Sequence, residues 1–446
     1  MTVSTLCVGI EVHLDELVLR AIDKAEGHEV LERFRVTNNL PGSQAAITTL
    51  ADTVTRLGYT RLEVGWEATG LLWLPFHQQL THSPYLQAFA LQPICFNPKL
   101  VANFKDGLVL RHPKNDERDA WDIANRLRLG ELPVSYVPSD FWQGLRRLTR
   151  YRYHLARDLT REELRFRANA FLKCSDGSTA PHVLAARQAP AHPAPGERGH
   201  GQPFADLYGA TSLALLTEFT VAELKVLALP ELADLIAHRG RGRFDDPIAT
   251  ARVVQEVLRT SYPIDPSLDA LLTATLALSA EHLRMIQRLI KRLDQQIARA
   301  IAPFPNPLLT VKGLGHVITA GLLAEIVDIT RFPDDPQLAQ YIGLTWEKRA
   351  SGHFVSQNTR LTKVGNVYLR YYTILGADRL RQFNLEYQAY YWRKYQEVPK
   401  HQHKRALVLT ARKLVRLIYA LLTKNVPYMV RPQTARRARR IASATR

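Results

Sequence analysis

Cysteine is scarce here: Cys7, Cys95 and Cys174 are the only three in 446 residues. Few, odd in number and far apart, they support neither a disulfide framework nor a zinc site, and they suit a reducing cytosol. The fifteen histidines show no HExxH or paired spacing that would argue for zinc, and most read as surface residues. No segment approaches the roughly 18–20 consecutive apolar residues that span a bilayer, so no membrane protein is expected. The first residues, MTVSTLCVGI, carry no basic stretch ahead of a long apolar run, so no signal peptide is expected either. Acidic residues are outnumbered, 42 against 59 Lys and Arg, which leaves a formal net charge of +17. A surplus of that size draws polyanions, of which nucleic acid is the commonest; an anionic membrane surface is the competing partner. The hydrophobic share of 46% excludes wholesale disorder, and the length leaves room for two or three domains.

Short, β-branched-rich runs open the chain. TLCVGIEV, LVLRAID and EVLERFRVT predict three antiparallel strands. After the turn signal Pro41-Gly42, apolar spacing predicts a helix over Ser43 to Leu57. A strand in TRLEVGWEATG, a helical pattern through LLWLPFHQQL and a strand at YLQAFALQPI follow. Three antiparallel strands, a helix, then parallel strands separated by helices is the order of a ribonuclease-H-like (RuvC-like) α/β domain, placed at 1–150. From 115 to about 175 the pattern is helical and strongly charged. Residues 175–203 are rich in Pro, Gly, Ala and Ser, a composition that cannot bury a core and predicts a flexible insert. The insert interrupts a helical region over 151–302, where Leu283, Ile286, Ile290, Leu293 and Ile297 recur three and four apart. That is the seam of a coiled coil, or equally of two helices packed in a globular core. A mostly α-helical domain is expected over 303–430, and a basic tail over 431–446 adds only non-specific affinity.

Two-metal phosphate chemistry needs carboxylates converging from different elements, because their summed charge holds two Mg²⁺ about 4 Å apart. Glu11 lies in the first strand, in VGIEVH, where an acid amid apolar neighbours is costly unless a cation compensates. Glu67 ends a later strand, just before Ala-Thr-Gly, where ligands gather in open α/β sheets. Asp116 and Asp119, three apart in KNDERDAWDIA, share one helical face; Asp122 continues it and rivals either. Alone, an acid at a strand end is usually solvated, and DExxD on a helix is usually a wet surface. All four in this order, on these elements, are far less expected by accident. Trp66, beside Glu67, reads as core packing.

GIEVH, EVGWEATG and the K-x-D-x-x-D-A block within KNDERDAWDIA resemble the IS110-type transposases, also called DEDD recombinases for their RuvC-like N-terminal domain. The resemblance extends into the C-terminal half and leaves out the insert, the middle helices and the tail. It implies metal-binding roles for Glu11, Glu67, Asp116 and Asp119 with Mg²⁺ as two ions, and it leaves Asp122 outside. The family's first acid is normally Asp; here it is Glu11, whose extra methylene moves the carboxylate relative to the strand.

Further on, Lys312-Gly313-Leu314-Gly315 precedes a helical run and resembles a helix-hairpin-helix turn. Two glycines let backbone N–H groups approach a phosphate, and the helix N-terminus favours the anion, although Gly-x-Gly before a helix is often only a tight turn. GLTxxxxxSG followed by LTKxGNxxLR, in YIGLTWEKRASGHFVSQNTRLTKVGNVYLRYY, is similar to the same family's transposase domain. In that resemblance Ser351, just before Gly352, is the nucleophile. A serine hydroxyl can conserve phosphodiester energy in a phosphoserine link and so permit rejoining without ATP, provided a base or a metal activates it. From the residues alone, Ser-Gly is an ordinary loop dipeptide and Ser356 an equally available hydroxyl. Arg360, Lys363 and Arg370 are candidate phosphate contacts, interleaved with Tyr368, Tyr371 and Tyr372; a solvated basic face reads equally well.

The resemblance implies a DNA recombinase of a mobile element that cuts and rejoins target and donor DNA, in the cytoplasm of a prokaryote and at its nucleoid. It also implies a structured non-coding bridge RNA, which would read sequence by base pairing and leave backbone and shape to the protein. Strand exchange takes several active sites, so a homodimer or homotetramer is expected, with the middle helices as interface. The rivals are a site-specific DNA invertase, a RuvC-like two-metal nuclease or junction resolvase using water, and a catalytically impaired nucleic-acid-binding relative, the last suggested by Glu11.

Overall fold

The computed structural model describes residues 4–98, 115–130, 136–175, 204, 206–347, 350–351, 354–355 and 360–429. Nearly all of the predicted insert, the whole basic tail, Gly352 and Ser356 lie outside them. The chain divides into two compact units, Met1–Pro138 and Ser139–Arg446.

In the first unit, β1 (Thr5–Val12), β2 (Glu16–Asp23) and β3 (Glu29–Thr37) form an antiparallel meander. Helix α1 (Leu40–Leu57) leads to β4 (Arg61–Glu67), and α2 (Leu74–His82) leads to β5 (Ala90–Phe96). β4 pairs parallel to β1, and β5 parallel to β4, giving the order β3-β2-β1-β4-β5. This mixed sheet is the ribonuclease-H-like arrangement expected from the sequence. Its central strand is covered on both faces, which is why β1 reads as a continuous apolar run from Leu6 to Ile10. Leu6, Val8 and Ile10 pack with Ala46, Leu50 and Val54 of α1. The alternate positions face α3 (Asp116–Leu129), where Cys7 packs with Ile123 and Leu127. Two boundaries differ from expectation: β5 starts at Ala90, after a 3-10 turn over Pro84–Leu86, not at Tyr85, and α1 starts at Leu40, not Ser43. Pro41 fits in the first turn, where no amide partner is lost, and Asn39 caps the helix by accepting the Gly42 amide at 2.9 Å.

The second unit is built on two long helices, α4 (Asp140–Lys173) and α9 (Pro266–Ile301). Between them in sequence, α5 (Ala210–Glu218), α6 (Val221–Val226), α7 (Leu229–Gly240) and α8 (Pro247–Thr260) gather around Leu232, Ile236 and Ala251. α4 runs unbroken through residue 150, so the unit boundary lies ahead of it at 138/139. Arg152 pairs with Asp294, Ser279 donates to Glu162, and Lys173 donates to Thr273. The partners run in opposite order along the two helices, so the helices are antiparallel. Leu283, Ile286, Leu293 and Ile297 are buried, and the predicted seam therefore closes within this chain, on α4. The opposite side of α9 leaves Leu271 69%, Leu278 70% and Met285 51% exposed, seven residues apart.

The remainder is α10 (His316–Ile326), α11 (Asp335–Ile342), α12 (Val367–Phe383), α13 (Leu385–Gln396) and α14 (Gln402–Lys424). Between α11 and α12 lies a two-stranded ribbon, β6 (Ala350–Ser351) with β7 (Phe354–Val355). α10 is apolar nearly all round and is buried from Ile318 to Ile326, the centre of a core that includes Leu338, Leu369, Leu414 and Ile418. Among the described residues, no helix is long and apolar enough to cross a membrane.

Candidate active site

Parallel pairing of β1 with β4 sets the first half of the site. Ile10 stands opposite Trp66, so Glu11 and Glu67, each one residue further on, end up side by side at the carboxyl ends of the two strands. Both are half-buried, where the strands leave the core. Trp66 itself is buried and stacks on Trp73 at 5.8 Å, the packing role read from the sequence.

α3 lies across β1 in the opposite direction. Its N-terminus is near His13, its middle over Gly9 and its later turns against Cys7. The two backbones approach so closely that a Cβ on Gly9 would lie 2.0 Å from the Ala120 carbonyl oxygen. This brings the first turn of α3, with Asp116 and Asp119, to the same end of the sheet as Glu11 and Glu67. The Asn115 side chain caps the helix by accepting the Glu117 amide at 3.0 Å, and the positive end of the helix dipole favours acids there. Two neighbouring acids are held by arginines. Glu117 meets Arg33 and Arg35 at 3.2 Å each, and buried Asp122 meets Arg118 at 3.3 Å. His13, not singled out in the sequence, places Nε2 at 3.4 Å from Asp116 Oδ2; its signal was its place in GIEVH, two residues after Glu11.

Among the described residues, no three His, Cys, Asp or Glu side chains stand close enough to hold a metal ion as they lie. The donor set nevertheless suits one. Four carboxylates at one end of the sheet are hard oxygen ligands of the kind that Mg²⁺ or Mn²⁺ takes, with no sulfur to favour a softer ion. Cys7 and Cys95 are not rival nucleophiles. Burial, with Glu63 beside it, pushes the Cys7 thiol up to about 12, and burial pushes Cys95 up to about 12 as well.

The motif residues of the second unit build the base of a loop. Thr345–Glu347 and Arg360–Thr362 run alongside each other: the Thr362 amide donates to the Thr345 carbonyl and the Glu347 amide to that of Arg360, both at 2.9 Å. Between them β6 and β7 pair with Ser351 opposite Phe354, so Ser351 sits near the tip of an excursion clasped at its base. Arg360 and Lys363 are exposed. Arg370 is partly committed: its Nη1 donates to the carbonyls of Ile342 and Lys363 at 3.0 Å each, and burial lowers its pKa. The interleaved tyrosines serve packing more than display. Tyr372 is buried and donates to the Thr149 carbonyl at 2.7 Å, Tyr371 accepts from Arg152 at 3.2 Å, and the Tyr368 ring lies 4.5 Å under Arg150. In the glycine-rich turn, Val311 and Leu314 are buried anchors while Lys312 and Gly315 are exposed. Gly313 adopts φ +110, and Gly315 is the N-cap of α10.

Two family models match the chain. The model of the transposase IS116/IS110/IS902 family covers residues 306–392. A transposase model for the DEDD domain of IS110 elements covers residues 8–172. Together they take in more than half of the chain, including Glu11, Glu67, Asp116, Asp119 and Ser351. No curated protein gives a match.

Proposed function

Because this chain belongs to the IS110 family of transposases, enzymes that cut and rejoin DNA for mobile elements, we propose that Glu11, Glu67, Asp116 and Asp119 are its metal ligands and Ser351 its nucleophile. The observation that carries this reading is the placement of four acids, spread from Glu11 to Asp119, at one end of the sheet beside the positive end of α3. Bound there as two ions, Mg²⁺ would polarise the scissile phosphate and offset the charge that develops on it. His13 lies against Asp116 and orients that carboxylate. The Ser351 hydroxyl gives up its proton and attacks phosphorus; the bond from phosphorus to one sugar oxygen breaks, and that oxygen leaves as a protonated hydroxyl. One phosphodiester is exchanged for another, so a sugar hydroxyl of a second strand can reverse the step, release the serine and join the new strand without ATP.

The partners follow the same reading. Target and donor DNA are the substrates, and a structured bridge RNA from the element's ends pairs with both, in keeping with a net charge of +17. The enzyme works in the prokaryotic cytoplasm, at the nucleoid, as a dimer or tetramer. The exposed stripe of Leu271, Leu278 and Met285 on α9 supports an interface through the middle helices, since the inner seam is taken up by α4.

The experiment is to incubate the protein with Mg²⁺, DNA bearing the sequences that flank the gene, and RNA transcribed from those flanks, and then to denature. Protein linked covalently to a cleaved strand, lost in Ser351→Ala and retained in Ser356→Ala, is the expected result. Clean hydrolysed ends with no adduct would favour the RuvC-like nuclease and refute the role given to Ser351.

A further inference from the structure

We infer that Glu325 is a positioning residue: through Asn366 it clamps the base of the Ser351 excursion to the arginines of α4. This rests on the reading of Ser351 as nucleophile. Glu325, on α10, is 0% exposed. A buried carboxylate is costly unless its lone pairs are filled and its charge is balanced. Arg150 forks onto it, Nε to Oε1 at 2.7 Å and Nη2 to Oε2 at 2.9 Å, and Asn366 Nδ2 donates to Oε2 at 2.7 Å. Arg146 Nε stands 3.6 Å from Oε2 and donates to the Ala324 carbonyl at 2.9 Å.

Buried ion pairs replaced by apolar groups of similar volume often lose no stability, so stability alone does not account for a carboxylate here. What a carboxylate adds is direction. Because Asn366 turns its Nδ2 to Glu325, its Oδ1 faces the amides of Tyr368 and Leu369 at 3.0 Å each and caps α12. Turned the other way, the amide would set oxygen against the carboxylate and hydrogens against the helix amides. The Asn366 backbone amide donates to the Tyr341 carbonyl at 2.7 Å. Gly365, at φ +146, is pressed against the chain entering the excursion: a Cβ there would lie 2.5 Å from the Tyr341 oxygen and 2.7 Å from the Gly343 nitrogen. Arg370 ties Ile342 to Lys363 across the same gap. Both ends of the excursion are thus fastened within a few residues of Asn366. Arg150 and Arg146 then fasten Glu325 to α4, whose first residue follows closely on the first unit in the chain.

Two variants separate direction from bulk. Glu325→Gln keeps the shape and loses the charge that balances the arginines. Asn366→Asp keeps the acceptor that caps α12 and sets two carboxylates against each other. Full-length protein is followed by hydrogen exchange and by single-turnover cleavage of duplex DNA bearing the flanking sequences, with the RNA transcribed from them. In both variants amide exchange should rise at least about tenfold over 341–347 and 360–370, while α9 exchanges as in the wild type. The cleavage rate at saturating DNA should fall roughly 10- to 100-fold, the scale of a misplaced reacting group, with half-saturating DNA unchanged within about twofold. Wild-type cleavage in both variants, or exchange raised uniformly over the second unit, would overturn the inference. Loosened loop amides in the variants together with no phosphoserine link in the wild type would refute the reading of Ser351 and leave the clamp standing.

Discussion

Replacing Gly9 by alanine tests the geometry of the carboxylate end of the sheet most sharply. A Cβ at this position would lie 2.0 Å from the Ala120 oxygen and 2.4 Å from the Ala124 nitrogen, where real Cβ contacts essentially never fall below 3.0 Å. Both obstacles are backbone, so no rotamer change relieves them and α3 must retreat from β1 by about 1 Å, the gap between 2.0 and 3.0 Å. Overpacking of this kind costs about 1–3 kcal/mol, which the first unit shows as a melting point lower by a few degrees. The retreat carries Asp116 and Asp119 away from Glu11, and a displacement of about 1 Å costs reacting groups roughly 100-fold in rate. Gly9→Ala should therefore cleave DNA roughly 100-fold more slowly at a temperature where it is fully folded, and need more Mg²⁺ for half-maximal rate. Gly65→Ala is the control. Its Cβ would meet Phe96 Cε2 at 2.7 Å and Leu127 Cδ1 at 3.1 Å, side-chain ends that can shift, so the rate should fall far less. A folded Gly9→Ala enzyme with wild-type rate and Mg²⁺ dependence would refute the placement of the aspartates beside Glu11.

Two further outcomes follow. At Glu11, alanine should remove at least about 100-fold of Mg²⁺-dependent cleavage and aspartate should retain most of it, since a shorter carboxylate still binds the ion; normal cleavage by the alanine variant, measured against Mg²⁺ concentration, would remove Glu11 from the ligand set. Glu162 bears on acid stability. Burial alone would raise its carboxyl, but the Ser279 hydroxyl, Arg165 and His282 outweigh burial and hold it below 4.5. Its folded pKa being depressed, its contribution is present above the unfolded value and is lost as pH falls through the folded one. Urea midpoints of wild type and Glu162→Gln should differ at neutral pH and converge below about pH 4.5; a gap that persists unchanged at pH 3 would contradict this.

Much of the first unit was legible because its physics is local. The β-branched-rich run TLCVGIEV is enough to predict a strand, though not that both its faces are covered, and the spacing of Asp116 and Asp119 puts them on one helical face. The start of α1 was less legible, because Pro41-Gly42 is a turn signal that a helix also tolerates in its first turn. The seam from Leu283 to Ile297 had the right period but no partner, since a coiled coil and an antiparallel pair share one pattern; Arg152–Asp294 and Ser279–Glu162 identify the partner as α4.

By itself, then, the sequence determined the elements, their order, the acidic and basic residues on them and the polyanion-seeking charge, because periodicity and composition act within a few residues. Only the tertiary structure decided which of those residues meet. The parallel register sets Glu11 beside Glu67, the missing Cβ of Gly9 lets α3 deliver its aspartates to the same end of the sheet, and His13 finds Asp116 there. Glu325, an unremarked acid in an apolar helix, became the centre of a clamp once folding brought Arg150 and Asn366 to its two oxygens. Such meetings join positions far apart in the chain, and long-range packing is what a local pattern leaves open.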